Sequence, residues 1–158
     1  MFDIADSSIV EKREELGILQ YVPFHFFEPT AFTGAVYNSH PKRKFCCITI
    51  SREYAQQQNF KICTAHPLSS DPEALVLDYS EGFNRINWEA AEERDYENPV
   101  SKNACMAECL AVSPVSPDVF RYIYVANDDT KRIVDEIIVN VYGEKRFRIS
   151  TNDSIVKG

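Results

Sequence analysis

The sequence predicts an α+β fold, and two observations carry that expectation. Strand-type and helix-type segments follow one another without the regular strand–helix–strand alternation of a doubly wound sheet. With 158 residues and 44% hydrophobic content, the chain can bury one core and is short for two. A single domain over residues 1–158 is therefore expected.

The elements follow in order. Asp6, Ser7 and Ser8 offer N-caps to "SIVEKREELG", in which charges alternate behind Ile9 and Val10 and Gly17 sits where a left-handed cap belongs, so a short helix is predicted. "ILQYVPFHFF" is β-branched and aromatic and is broken by Pro23, which predicts an edge strand or a bent one. A loop is expected through Pro29, Gly34, Asn38 and Pro41. "KFCCITIS" is the strongest strand signal, "REYAQQQN" a helical turn and "FKICTA" another short strand. "LSSDPEA" reads as a turn and "LVLDYS" as a strand. "INWEAAEERDYEN" has helical propensity, with Asn87 as cap and Pro99 beyond its end. "KNACMAECLAV" is open: its Ala, Met, Leu and Glu favour a helix with Glu108 exposed, whereas a strand would put Met106, Glu108 and Leu110 on one face. After the turn-rich "SPVSPD" come a strand, "VFRYIYVA", an Asp-capped helix, "DDTKRIVDEIIVNVYG", and a last strand, "KRFRIS".

The net charge of −7 and a pI near 5.0 exclude a broad electrostatic grip on nucleic acid, which needs many cations against phosphates. The one dense basic cluster is Lys42, Arg43 and Lys44, with a solvated loop as its simplest reading. No apolar run is long enough to span a membrane, and the start is acidic where a signal peptide is basic, so a cytoplasmic protein with no membrane partner is expected. Five cysteines, an odd number with Cys46 and Cys47 adjacent, fit a reducing compartment and small buried free thiols.

Cys63 with His66 and Cys105 with Cys109 invite a zinc reading, but the tight Cys-x-x-Cys knuckle is missing and no metal is expected. Nucleophile-elbow, Walker and dinucleotide-loop patterns are also missing. Tyr21, Phe24, Phe26 and Phe27 read as core in preference to a base-stacking platform.

Three features, the second made of two stretches, carry a resemblance in this order. They are "IADSSIVEKREELGILQYVPFHF", then "CTAHPLSS" followed by "INWEAAEERDYENP", then "SKNACMAECLAV". From about Ile4 to Arg148 the chain resembles the DarT family of NAD-dependent ADP-ribosyltransferases, toxins of DarT–DarG systems that modify bases of single-stranded DNA. The resemblance implies a mixed, mainly antiparallel split β-sheet with flanking helices. It implies NAD as substrate and no metal. Glu108 takes the place of the glutamate that orients the nicotinamide ribose and helps remove a proton from the attacking base. Arg13 takes that of the catalytic arginine, whose guanidinium would bind the NAD pyrophosphate or the substrate backbone, or stabilise charge as nicotinamide leaves. Tyr21 and Phe24 would wall the nicotinamide pocket, Thr64 and His66 would lie by the substrate groove, and Lys42, Arg43, Lys44 and Lys102 would line the path of the strand.

The family opens with a strand and helix carrying a His-x-x-His-type motif and an asparagine, and this sequence starts beyond them. An N-terminally incomplete relative is the expectation, and with it a homodimer or partner contact over the exposed edge. Single-stranded DNA and a macrodomain antitoxin are the implied partners. Two alternatives stay open: a noncatalytic binding module, and a transferase whose acceptor is RNA or protein.

Overall fold

The computed structural model describes residues 7–66 and 76–154. The loop expected at "LSSDPEA" and the candidate cap Asp6 lie outside them. Among the described residues the helices are α1 (Ser7–Glu15), α2 (Ala31–Ser39), α3 (Arg52–Gln57), α4 (Tyr79–Arg85), α5 (Trp88–Glu93), α6 (Pro99–Cys105) and α7 (Asp128–Tyr142). The strands are β1 (Val22–His25), β2 (Cys46–Thr49), β3 (Lys61–Cys63), β4 (Val76–Asp78), β5 (Glu108–Ala111), β6 (Tyr122–Val125) and β7 (Ile149–Thr151). The fold is α+β, as predicted, and its pairing is antiparallel except for β6 with β7.

The chain sorts into two compact units. One draws its described residues from Met1–Phe27 and Glu53–Val115 and holds a sheet of order β1-β5-β3-β4. Its register sets the site: His25 pairs with Glu108 from one side and Cys63 from the other, while Phe24 and Ile62 flank Cys109. Paired residues project to the same face and alternate along a strand. One face thus carries His25, Glu108, Cys63 and Leu110, and the other Phe24, Cys109 and Ile62. On the first face Ile18, Cys63 and Leu110 form a buried cluster, bordered by Leu16, Tyr21 and Val76. On the second, Phe24 stacks on Phe60 at 6.3 Å between ring centroids, and Gly82 of α4 lies against Ile62.

The other unit, from Glu28–Arg52 and Ser116–Gly158, has a sheet of order β2-β6-β7. Ile123, Val125 and Ile149 pack there against Ile138 of α7.

Several expectations are corrected. The proline-flanked loop after Pro29 contains α2, because the Thr30 side chain accepts a bond from the Thr33 N–H and Pro41 forbids continuation past His40. The "ILQYVPFHFF" strand shrinks to four residues, and "VFRYIYVA" and "KRFRIS" likewise shorten to β6 and β7. "LVLDYS" is strand only to Asp78, and Tyr79 opens α4. The "INWEAAEERDYEN" helix ends at Glu93, where Arg94 turns left-handed at φ 51°. Pro99 does not trail a helix; it starts α6, capped by Asn98, where its missing N–H costs nothing. The segment around Glu108 is helix first and strand second, so Met106 caps α6 and does not share a strand face with Glu108. Asn127, not an aspartate, caps α7 by accepting from the Thr130 N–H at 2.9 Å. All five cysteines are free, but only Cys63, Cys105 and Cys109 are buried: Cys46 is exposed and Cys47 half-buried, since β2 carries them on alternate faces.

Candidate active site

Arg13 lies in the last turn of α1, a helix of mostly exposed charges, yet it is only 9% exposed. Its Nη1 donates to Oε2 of Glu108 at 2.6 Å across 95 residues of sequence. Glu108 opens β5 and is 6% exposed. A carboxylate so placed needs a charged partner, because an isolated buried charge carries a penalty of several kcal/mol or more. The ordinary alternative for Arg13, a surface pair with Glu11 or Glu15, does not form. Glu15 is taken by Lys12 at 2.9 Å.

Around the pair stand groups from β1, β3, the loop after β3, and α6. Cys63 of β3 faces Glu108 in the ladder, and burial followed by the Glu108 charge pushes its thiol up to about 11. His66, three residues past the end of β3, is half-buried. Its backbone N–H donates to Asn103 Oδ1 of α6 at 3.1 Å. Burial holds its imidazole below the usual histidine range, Glu108 opposes that shift, and Lys102 and His25 reinforce it. These couplings put His66, Lys102, His25 and Glu108 in one electrostatic neighbourhood. Thr64 is buried between Cys63 and His66.

The structure thus joins Arg13 to Glu108, with His66 coupled to the Glu108 charge and Lys102 to His66. Tyr21 borders the Ile18–Cys63–Leu110 cluster on the same sheet face. Phe24, expected beside it on the nicotinamide, instead projects to the opposite face, where strand alternation sends it onto Phe60. Lys42, Arg43 and Lys44 are exposed between α2 and β2, in the other unit. Phe26 and Phe27 form an aromatic group with Trp88, Phe26 edge-on to it at 5.3 Å. Sequence reasoning did not link His25 to Glu108, which it sits directly opposite; the aromatic run around it reads as core until β1 is paired with β5. No group of three or more His, Cys, Asp or Glu able to hold a metal ion occurs among the described residues, and none of their helices is long and apolar enough to cross a membrane.

Among solved structures, Thermus sp. 2.9 DarT in complex with ADP-ribosylated ssDNA is similar at a TM-score of 0.80 and 18% identity, over 97% of this chain and 80% of that one. The same Thermus protein in complex with NAD+ gives 0.73 and 17%, over 86% and 72%. Thermosipho africanus DarTG in complex with ADP-ribose gives 0.69 and 18%, over 97% of this chain and 42% of that one. At such identities the likeness establishes the fold. No curated protein matches the chain by sequence. The family model described as "ssDNA thymidine ADP-ribosyltransferase, DarT" matches residues 1–155. A match over nearly the whole length, on a fold shared with DarT structures, means that the chain belongs to the DarT family of NAD-dependent ADP-ribosyltransferases.

Proposed function

We propose that the chain transfers ADP-ribose from NAD to a thymidine base of single-stranded DNA, with Glu108 and Arg13 as the catalytic pair. The observation that carries this reading is their buried 2.6 Å ion pair, formed between residues 95 apart. The pair suits a dinucleotide. A carboxylate accepts at several lone pairs, so Glu108 keeps capacity for a ribose hydroxyl while bound to Arg13. The guanidinium is permanently charged and matches phosphate geometry.

NAD supplies the chemistry, an activated ribose carbon bonded to a good leaving group. The chain supplies orientation, electrostatics and a base. Glu108 orients the ribose and receives the proton of the attacking ring nitrogen, while Arg13 stabilises the redistribution of charge. Tyr21 borders the nicotinamide, and Thr64 and His66 border the acceptor base. Lys102 meets phosphates of the strand; in the other unit, Lys42, Arg43 and Lys44 offer a separate exposed cationic cluster for phosphates. A single strand suits the site because the base need not be pulled from a duplex stack.

The wider role we propose is that of a toxin, neutralised by a macrodomain antitoxin and acting in the cytoplasm. The likeness to Thermosipho africanus DarTG supports the first part, and five free cysteines support a reducing compartment.

Incubating the chain with labelled NAD and single-stranded oligonucleotides tests the transfer. Label is expected on oligonucleotides containing thymidine and not on those lacking it. Saturable NAD binding without label on any oligonucleotide would favour the noncatalytic module, and label confined to RNA or protein would reassign the acceptor.

A further inference from the structure

Charge is divided unequally between the two units. The unit that holds the Arg13–Glu108 pair, Met1–Phe27 with Glu53–Val115, has sixteen Asp and Glu against six Lys and Arg. The other, Glu28–Arg52 with Ser116–Gly158, has eight against eleven. One is therefore −10 and the other +3, which together give the chain's −7. A polyanion is repelled by the first and attracted by the second, so the second is where a single strand finds most of its phosphate contacts.

The sheet of this second unit has two unlike faces. Ile123, Val125 and Ile149 share one, where they pack with Ile138 of α7. The alternate residues Tyr122, Tyr124, Cys47, Thr49 and Ser150 share the other. There the Tyr122 and Tyr124 rings stack, with centroids 5.7 Å apart and 26° between planes, and Tyr122 is 38% exposed. The Tyr122 N–H donates to Thr49 Oγ1 at 3.2 Å, which ties β6 to β2 at that ring. Stacked rings partly open to water offer a surface on which a nucleobase can extend the stack. Cations stand at both ends of this strip. Lys42, Arg43 and Lys44 lead into β2, at the end where Cys46 meets Val125; Arg121 and Arg148 precede β6 and β7, at the end where Thr49 meets Tyr122. All five are exposed, and none makes an ion pair among the described residues. Elsewhere in the unit Arg132, Lys145 and Arg146 are paired with Glu136, Asp135 and Asp118. One acid, Glu28, acts on Cys47 of this face, and it accepts from the Thr33 hydroxyl at 2.7 Å.

We propose that the Tyr122–Tyr124 face of this sheet is a binding surface for single-stranded DNA: bases stack on the tyrosines, and Lys42, Arg43, Lys44, Arg121 and Arg148 meet the phosphates on either side. The nucleotides held there are ones other than the thymidine being modified. The contact is indifferent to their sequence, because every base has a π-face and every linkage the same charge. The inference rests on the transferase reading for the identity of the strand.

Equilibrium binding of a fluorescent oligothymidylate to the full chain without NAD tests it, since no turnover is needed. Tyr122→Leu and Tyr124→Leu keep apolar bulk and remove the ring. Each is expected to bind ~10-fold more weakly, the scale of one lost stack, whereas Tyr122→Phe should stay within about twofold of the wild type. Replacing Lys42, Arg43 and Lys44 together by Gln should lower the slope of log affinity against log salt by about 2, at ~0.7 per phosphate contact. Oligonucleotides carrying 5-iododeoxyuridine, irradiated with the wild-type chain, should crosslink to Tyr122 or Tyr124, a result that stands whether or not a variant folds. Leu variants that bind like the wild type, a Phe variant that loses as much as they do, an unchanged salt slope, or crosslinks confined to other residues overturns the proposal, as does a wild-type chain that binds no oligonucleotide. Binding with the expected dependence but no transfer of label from NAD counts against the transferase reading alone.

Discussion

Most of what distinguishes this chain depends on single side chains placed where their chemistry would ordinarily forbid them. Arg13 and Glu108 are each tolerable in the interior only because of the other. Removing one partner strands a buried charge, so Glu108→Gln and Arg13→Met are each expected to lower unfolding free energy by about 3 kcal/mol. The double variant should be milder than the sum by about 1–3 kcal/mol, the range for residues in contact. Urea unfolding of the four proteins checks this, and strict additivity would mean that the ion pair does not couple. Little of this was legible locally. Helix propensity alone makes Glu108 an exposed helix residue, and an arginine in "EKREE" reads as surface charge; only their resemblance to a known motif set joined them. His25 was not connected to Glu108, because that link depends on a strand 83 residues further on being laid opposite it in one particular register.

At the scale of elements, short-range signals worked where caps and periodicity dominate. α7 lies where its charge and apolar pattern put it, closing on Gly143 at φ 78°. Signals failed where packing decides. α4 has an unremarkable sequence, "YSEGFNR", and exists by lying on β3 at Gly82. A methyl group at Gly82 would sit 2.5 Å from Ile62 Cβ, whereas one at Gly34 of α2 meets nothing within 4 Å. Alanine at a helical glycine ordinarily stabilises by up to about 1 kcal/mol. Gly34→Ala should do so, while Gly82→Ala should destabilise by about 1–3 kcal/mol through overpacking. Thermal unfolding distinguishes them by the sign of the change in Tm.

For the molecule as a whole, the buried and half-buried titrating groups define the pH range of stability. The folded His66 binds its proton less readily than in the unfolded chain. Stability should therefore fall as pH drops through 6.5, where the unfolded state takes up a proton that the folded state refuses. Cys63 and Cys47 have the opposite sign, because each thiol is raised from 9.0 to about 11. Between those values the unfolded chain gives up protons that the folded chain keeps, so stability declines again as pH rises. Denaturant midpoints across pH 5 to 11 should trace a plateau between roughly neutral pH and 9, with the acid side flattened in His66→Gln. The long-range ion pair also has a consequence for biosynthesis. A ribosome emits the guanidinium early and the carboxylate 95 residues later. Throughout that interval the nascent polypeptide holds half of the ion pair, and a product cut short by a premature stop codon before Glu108 leaves Arg13 without the partner that lets it be buried.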